Sequence, residues 1–166
     1  MASPFDPQFS QILERVRFYA RRYGIDENIA IWQIWQESKF NPNARSGAGA
    51  KGLCQFMPAT AARFNVDVWD IESSLDGWGR YMSWLLRQSY INGDYALALA
   101  GYNAGEGRVK NAGGIPNIAE TKNYVSIILG NAGAGLDSSN SNGLAASAMN
   151  TSGVLLGLLF LYLILD

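Results

Sequence analysis

Ile29-Ala30-Ile31-Trp32-Gln33-Ile34-Trp35-Gln36 runs straight into Glu37-Ser38. A stretch apolar on nearly every side predicts a central, buried helix over about residues 27–38, with Asp26 as its cap. The run ends on a carboxyl. Most carboxylates lie in polar stretches and stay ionised, but one at the end of so apolar a helix loses solvation, which favours its protonated form. A glutamic acid that keeps its proton near neutral pH can pass it to a leaving group, the task of a general acid at a glycosidic bond. The plainer reading is that Glu37 marks the polar edge of a core helix, since structural carboxylates are perturbed as well.

On the N-terminal side, Phe9, Ile12, Leu13, Val16, Tyr19, Ala20 and Tyr23 recur at helical spacing with arginines between them, and Gly24 supplies a C-cap. On the other side, Asn41-Pro42-Asn43 ends the central helix. The glycine-rich stretch from Ser46 to Gly52 is too loose for a helix and suits close backbone approach to a ligand. Pro58 opens a short helix through about Phe64. Asp70 to Ser74 read as a turn and cap before a helix from about Leu75 to Tyr90, closed by Asn92-Gly93. Asp94 caps a helix over Tyr95 to Asn103, Gly105 and Gly107 break the chain, and a last helix runs from about Ile118 to Leu129. No segment alternates as a strand does, so the fold class is all-α.

The 166 residues are 48% hydrophobic and 16% charged, which suits one globular domain with something added. With 13 basic and 14 acidic residues and no basic face, nucleic acid is not an expected partner. Histidine is absent and Cys54 is the only cysteine. That removes disulfides, Cys/His zinc sites and triads with a histidine base; no metal and no cofactor is called for. Acid–base work falls to carboxylates, Tyr or Lys. Eight Tyr, seven Phe and five Trp serve core packing first and sugar stacking second.

Composition divides the chain at 1–130, 131–143 and 144–166. The middle piece is Gly, Asn, Ser and Ala apart from Leu136 and the single charge Asp137, as in a flexible linker. From Leu144 no charge appears before Asp166, and Leu144 to Leu165 has about the length, roughly 20 residues, that spans a bilayer. A transmembrane or membrane-inserted segment is expected there, in contact with lipid; the shorter, strongly apolar part from Val154 could instead dock as a buried helix. Met1 to Asp6 lacks the basic-then-apolar pattern of a secretory signal, so delivery is expected by another route.

The blocks after the central helix line up in order. Glu37-Ser38 is followed by Phe40-Asn41-Pro42-Asn43-Ala44, then Gly52-Leu53-Cys54-Gln55-Phe56-Met57-Pro58-Ala59-Thr60. Ala98-Leu99-Ala100-Gly101-Tyr102-Asn103-Ala104-Gly105 and Glu120-Thr121-Lys122-Asn123-Tyr124-Val125 complete the set. From about Gln8 to Leu129 the chain resembles the soluble lytic transglycosylases, peptidoglycan-cleaving relatives of goose-type lysozyme.

The resemblance implies an α-helical, lysozyme-like domain with a groove for glycan strands. Glu37 would be a single acid/base that cleaves the bond between N-acetylmuramic acid and N-acetylglucosamine and closes a 1,6-anhydro ring. Ser38, Gln55, Met57, Tyr102, Asn103 and Tyr124 match positions at the cleft. Ser38 and Asn103 would hold the N-acetyl group or orient Glu37, Gln55 would bond the glycan, and Met57 would wall a subsite. Tyr102 would position Glu37 or the leaving-group region, and Tyr124 matches an aromatic near the site. Each has a bland counterpart: capping for Ser38 and Asn103, packing for Met57. One departure is Gly101, where the family usually has Ala; the change costs up to about 1 kcal/mol of helix propensity.

A water-using muramidase is the nearest rival, but it usually takes two carboxylates, and no motif gives Asp67, Asp70, Glu106 or Glu120 the second role. A membrane-tethered glycan-binding protein that no longer cuts is the rival from another class. The tail and the missing signal point to a virion component that opens the wall during entry, or to part of an envelope complex that needs a local gap for assembly.

Overall fold

The apolar run becomes the axis of the domain. In the computed structural model, which describes residues 2–134, a 3₁₀ turn at Pro7–Phe9 leads into α1 (Ser10–Arg22), followed by α2 (Glu27–Ser38) and α3 (Pro58–Arg63). Then come α4 (Ile71–Leu86), α5 (Tyr95–Ala104), α6 (Glu106–Ala112) and α7 (Ala119–Ala134). The all-α class is the one observed: β structure among the described residues is limited to isolated bridges, Arg45 with Lys51 and Lys51 with Phe56. The apolar tail, 144–166, and the linker beyond residue 134 lie outside the described residues.

α2 packs between α1 and α7, and α4 closes against α1 and α5. Ile29, Ala30, Ile31, Ile34 and Trp35 are all buried, as a helix without a polar face must be. Each large one contributes about 1.5–3 kcal/mol relative to exposure. The expected caps form. Asp26 accepts from the Ile29 N–H at 2.9 Å, and Asp94 from those of Ala96 and Leu97. Gly24, at φ +65, lets the Ile25 N–H return to the Ala20 carbonyl at the end of α1.

Three boundaries differ from the sequence reading. α4 begins at Ile71, because Asp70 is itself the cap: its side chain accepts from the Ser73 N–H at 2.7 Å. It stops at Leu86, where the Gly93 N–H bonds back to the Leu86 carbonyl. α6 fills a stretch read as broken by two glycines; Gly105, at φ +93, does break the chain, but Gly107 sits within the new helix. α7 continues to Ala134, past the Leu129 at which the sequence reading ends the last helix. Gly101 also gains a reason: a Cβ there would lie 3.1 Å from Leu85 Cδ2, so the glycine lets α5 sit close on α4.

Candidate active site

α2 stops directly after Glu37-Ser38 because Lys39 and Phe40 both take left-handed backbone angles, φ 53 and 62. That conformation costs a non-glycine residue about 1–2 kcal/mol. Ring packing offsets it: Phe40 meets Trp35 edge-on at 5.4 Å and Phe9 at 5.8 Å, and the Lys39 ammonium lies over Trp35. The chain is thereby turned away, and the Glu37 side chain is left between α5 and α7.

Glu37 is 3% exposed. The Tyr124 hydroxyl, from α7, donates to its Oε1 at 2.5 Å. Burial pushes the carboxyl up to about 8, against the pull of the Tyr124 bond; Glu120 raises it further and Lys39 lowers it. The negative end of the α2 dipole acts in the same direction as burial. Burial and the neighbouring Glu37 hold the Tyr124 phenol well above its ordinary range, so it stays a donor. At neutral pH the site therefore holds a protonated acid with a neutral partner.

A cleft opens on this acid. Gln55, Phe56 and Met57 form one wall, from the loop before α3, and Thr60 continues it. Tyr81 of α4, Tyr102 and Asn103 of α5, and Gly105 with Glu106 at the start of α6 form the rest. Five of the residues singled out in the sequence, Glu37, Gln55, Met57, Tyr102 and Asn103, thus meet around one cavity. Tyr124 stands behind Glu37. Ser38 stands apart: its hydroxyl donates to the Ile34 carbonyl, 3.4 Å away within its own helix, a local bond and not a cleft contact.

The geometry gives several of these residues definite work. Gln55, held at φ 50, donates from Nε2 to the Gly52 carbonyl at 2.8 Å and the Ala44 carbonyl at 3.2 Å. Its amide nitrogen thus knits the glycine-rich loop, and its oxygen is what remains for a ligand. Tyr102 ties that loop to α5 by donating to the Cys54 carbonyl at 2.8 Å. Asn103 Oδ1 accepts from the Thr121 hydroxyl at 2.7 Å, which orients the amide and leaves its nitrogen as the donor. The close approach foreseen for the glycine loop is real, but it is made to the chain itself. A Cβ on Gly52, at φ +76, would lie 1.9 Å from the Val68 carbonyl oxygen.

Phe56, Thr60, Tyr81 and Gly105 on the cleft were not foreseen, and Glu106 was weighed only as a spare acid. Tyr81 carried a signal, but its helical spacing read as core. Glu106 pairs with Arg63 at 2.7 Å and accepts from the Tyr81 hydroxyl at 3.4 Å. Cys54 is fully buried and burial raises its thiol well above the usual range, which leaves it unreactive. Among the described residues no group of three or more Cys, Asp or Glu is placed to hold a metal ion.

A helical domain whose cleft ends on one buried, protonated glutamic acid is lysozyme-like. Residues 14–125 match the Transglycosylase SLT domain, and the chain belongs to that family. It is 35% identical over 116 residues to the membrane-bound lytic murein transglycosylase C of Mannheimia succiniciproducens, a match covering 58% of this chain and 32% of that protein. An inactive mutant of the lytic transglycosylase Slt from Pseudomonas aeruginosa superposes with a TM-score of 0.59 and 30% identity, over 77% of this chain and 24% of that one. For the 70 kDa soluble lytic transglycosylase of Escherichia coli the values are 0.60 and 25%, over 75% and 23%. The chain thus spans about a third of the length of that curated relative and about a quarter of those solved chains.

Proposed function

We propose that the domain is a peptidoglycan lytic transglycosylase with Glu37 as its single acid/base. The observation that carries this reading is the buried Glu37 carboxyl, raised to about 8 and bonded by the neutral Tyr124 phenol at the bottom of the cleft. Glu37 gives its proton to the oxygen between N-acetylmuramic acid and N-acetylglucosamine as the C1–O bond breaks. The resulting carboxylate takes the proton from the muramic acid C6 hydroxyl, and O6 bonds to C1. The proton count closes with no water consumed. A group that titrates near the working pH serves both halves, and a hydroxyl of the same sugar outcompetes water through its high effective molarity.

Around that chemistry, the Asn103 amide nitrogen and the Gln55 oxygen are the polar groups offered to the glycan. Met57 and Tyr102 supply wall and support. Ser38 acts only through the end of α2. Mass spectrometry of purified peptidoglycan digested with the full chain tests the reading, and 1,6-anhydro-muramic acid ends are expected. Reducing ends would mean a muramidase with water as acceptor, and would direct attention to Glu106, the other carboxylate on the cleft. Binding without products would leave a glycan-binding role.

Residues 144–166 are proposed to attach the domain to membrane lipid, which fits an apolar composition with no charged side chain before Asp166 and the "membrane-bound" name of the curated relative. Among the described residues no helix is long and apolar enough to cross a membrane. The role proposed is local wall opening by a virion or an envelope complex. Flotation with liposomes that is lost on truncation at residue 143 tests the attachment. Detection in purified particles tests the virion role, and absence from them would end it.

A further inference from the structure

α2 carries a second buried polar side chain, which the cleft chemistry does not use. Gln33 is 0% exposed and lies one turn before Glu37. A primary amide at that depth must find partners, and its partners are arranged in one direction. The Trp78 indole N–H donates to Gln33 Oε1 at 3.1 Å. With the oxygen held there, the amide nitrogen is turned away from Trp78, toward the Met82 sulfur at 3.6 Å and the Tyr124 phenol. Tyr124 in turn donates to Glu37. The Trp78 and Tyr124 donors thus run toward the acid, and the Gln33 nitrogen is shared between the Met82 sulfur and the Tyr124 phenol.

A phenol hydroxyl can rotate, and its proton can point to either of two acceptors. An N–H on the phenol oxygen removes the choice. We infer that Gln33 is a positioning residue: its amide, locked by Trp78, donates to the Tyr124 oxygen and so aims the phenol proton at Glu37. The inference rests on the reading of Glu37 as the acid. Aligned hydrogen bonds polarise one another, so the phenol becomes a stronger donor and offsets part of what burial does to Glu37. An amide does not titrate, which keeps the aim constant across pH. The titratable groups facing the pair are Glu120 on α7, Lys39 after α2, Tyr102 on α5 and Cys54 on the loop. None is altered by a change at position 33.

The test uses the full chain with ¹³C-labelled glutamate side chains, comparing wild type with Gln33→Met. The Glu37 titration midpoint should rise by about half a pH unit or more once the phenol is a weaker donor. On peptidoglycan, kcat should fall about tenfold from lost alignment, with KM within about twofold and the high-pH limb of the profile moved up with the midpoint. Gln33→Glu should recover most of the rate below the pH at which the new carboxyl ionises, because its neutral form offers the same acceptor and donor. A folded Gln33→Met protein with unchanged midpoint and limb overturns the inference and leaves Glu37 as the acid.

If Gln33→Met does not fold, the wild-type protein decides. The Gln33 side-chain amide protons should shift with the same midpoint as the Glu37 carboxyl, and amide signals that ignore it overturn the inference. Should the wild type fail to cleave glycan at all, the functional reading falls, while the Glu37 midpoint still tests the relay.

Discussion

Glu37 and Glu106 line the same cleft, one at its floor and the other where α6 begins. Glu37 is 3% exposed and is bonded only by a neutral phenol among the described residues. Glu106 has a side chain 29% exposed and pairs with Arg63, whose guanidinium also lies over Trp84 at 4.3 Å. The same side chain therefore meets opposite treatment within one cavity. At the floor the protein withholds both water and a paired cation, which keeps the proton on. At the rim it supplies a cation and solvent. A carboxyl that keeps its proton is made less by what touches it than by what is kept away.

The sharpest way to break the contrast is Glu37→Gln. Cleavage should fall about 10³-fold or more, the upper part of what proton transfer contributes, with glycan binding retained. The same change should stabilise the fold at alkaline pH. The unfolded carboxyl ionises near its ordinary value of 4.5, while the native one holds its proton to about 8. Between those values the unfolded state binds fewer protons, so stability falls as pH rises through the window and is lowest above it. Glutamine has no such cost. Thermal melts should show equal stability for the two proteins near pH 4 and a gain on the order of a few kcal/mol for the variant near pH 9. Parallel curves at all pH values would mean that Glu37 is not a buried acid.

Gly52→Ala tests whether the floor depends on the loop facing it. The new Cβ cannot coexist with the Val68 carbonyl, 1.9 Å away. The loop must move, and Gln55 and Met57 move with it. Activity should fall about 10²-fold through misplacement, with a stability loss of about 1–3 kcal/mol from backbone strain. A fully active, unshifted Gly52→Ala protein would detach the loop from the chemistry. Tyr124→Phe is gentler. It removes the one donor that pulls Glu37 down, so the high-pH limb of kcat/KM should move up, and the rate at neutral pH should fall about tenfold. A limb that moves down instead would show that the phenol does not stabilise the carboxylate.

What could be read from the sequence follows from how local the cause is. The apolar run, the Asp26 and Asp94 caps and the Gly24 stop act over a single helical turn, and these elements stood out. The acid stood out because its desolvation is written in the residues just before it. α6 did not, since of its seven residues only Val109 is buried and the periodic signal vanishes. Tyr81 sits on the apolar stripe of α4, and nothing nearby in the chain says that the cleft lies across from it. Gln33 broke the apolar pattern without announcing a purpose, because Trp78, which fixes its amide, is 45 residues away. The glycine loop was legible as a place of close approach, but the partner, the Val68 carbonyl, was not.

Glu106→Gln should have the smallest effect, and it puts the contrast at most risk. Losing the ion pair with Arg63 should cost no more than about 1 kcal/mol, because both side chains are partly exposed and water screens them. Arg63 keeps its packing over Trp84, and the Tyr81 hydroxyl can bond the new amide as it bonded the carboxylate. Cleavage should therefore stay within about threefold of wild type, the range left to a residue that contributes binding without proton transfer. A glycosidase that uses water behaves differently. Its second carboxylate activates that water or attacks the sugar, and replacing it removes most of the rate. If Glu106→Gln falls as far as Glu37→Gln, the two glutamates are an acid and base pair, and the products must carry reducing ends. If the variant cuts and its products still end in anhydro rings, the rim carboxylate has no part in the chemistry, and the second proton transfer belongs to Glu37 as well.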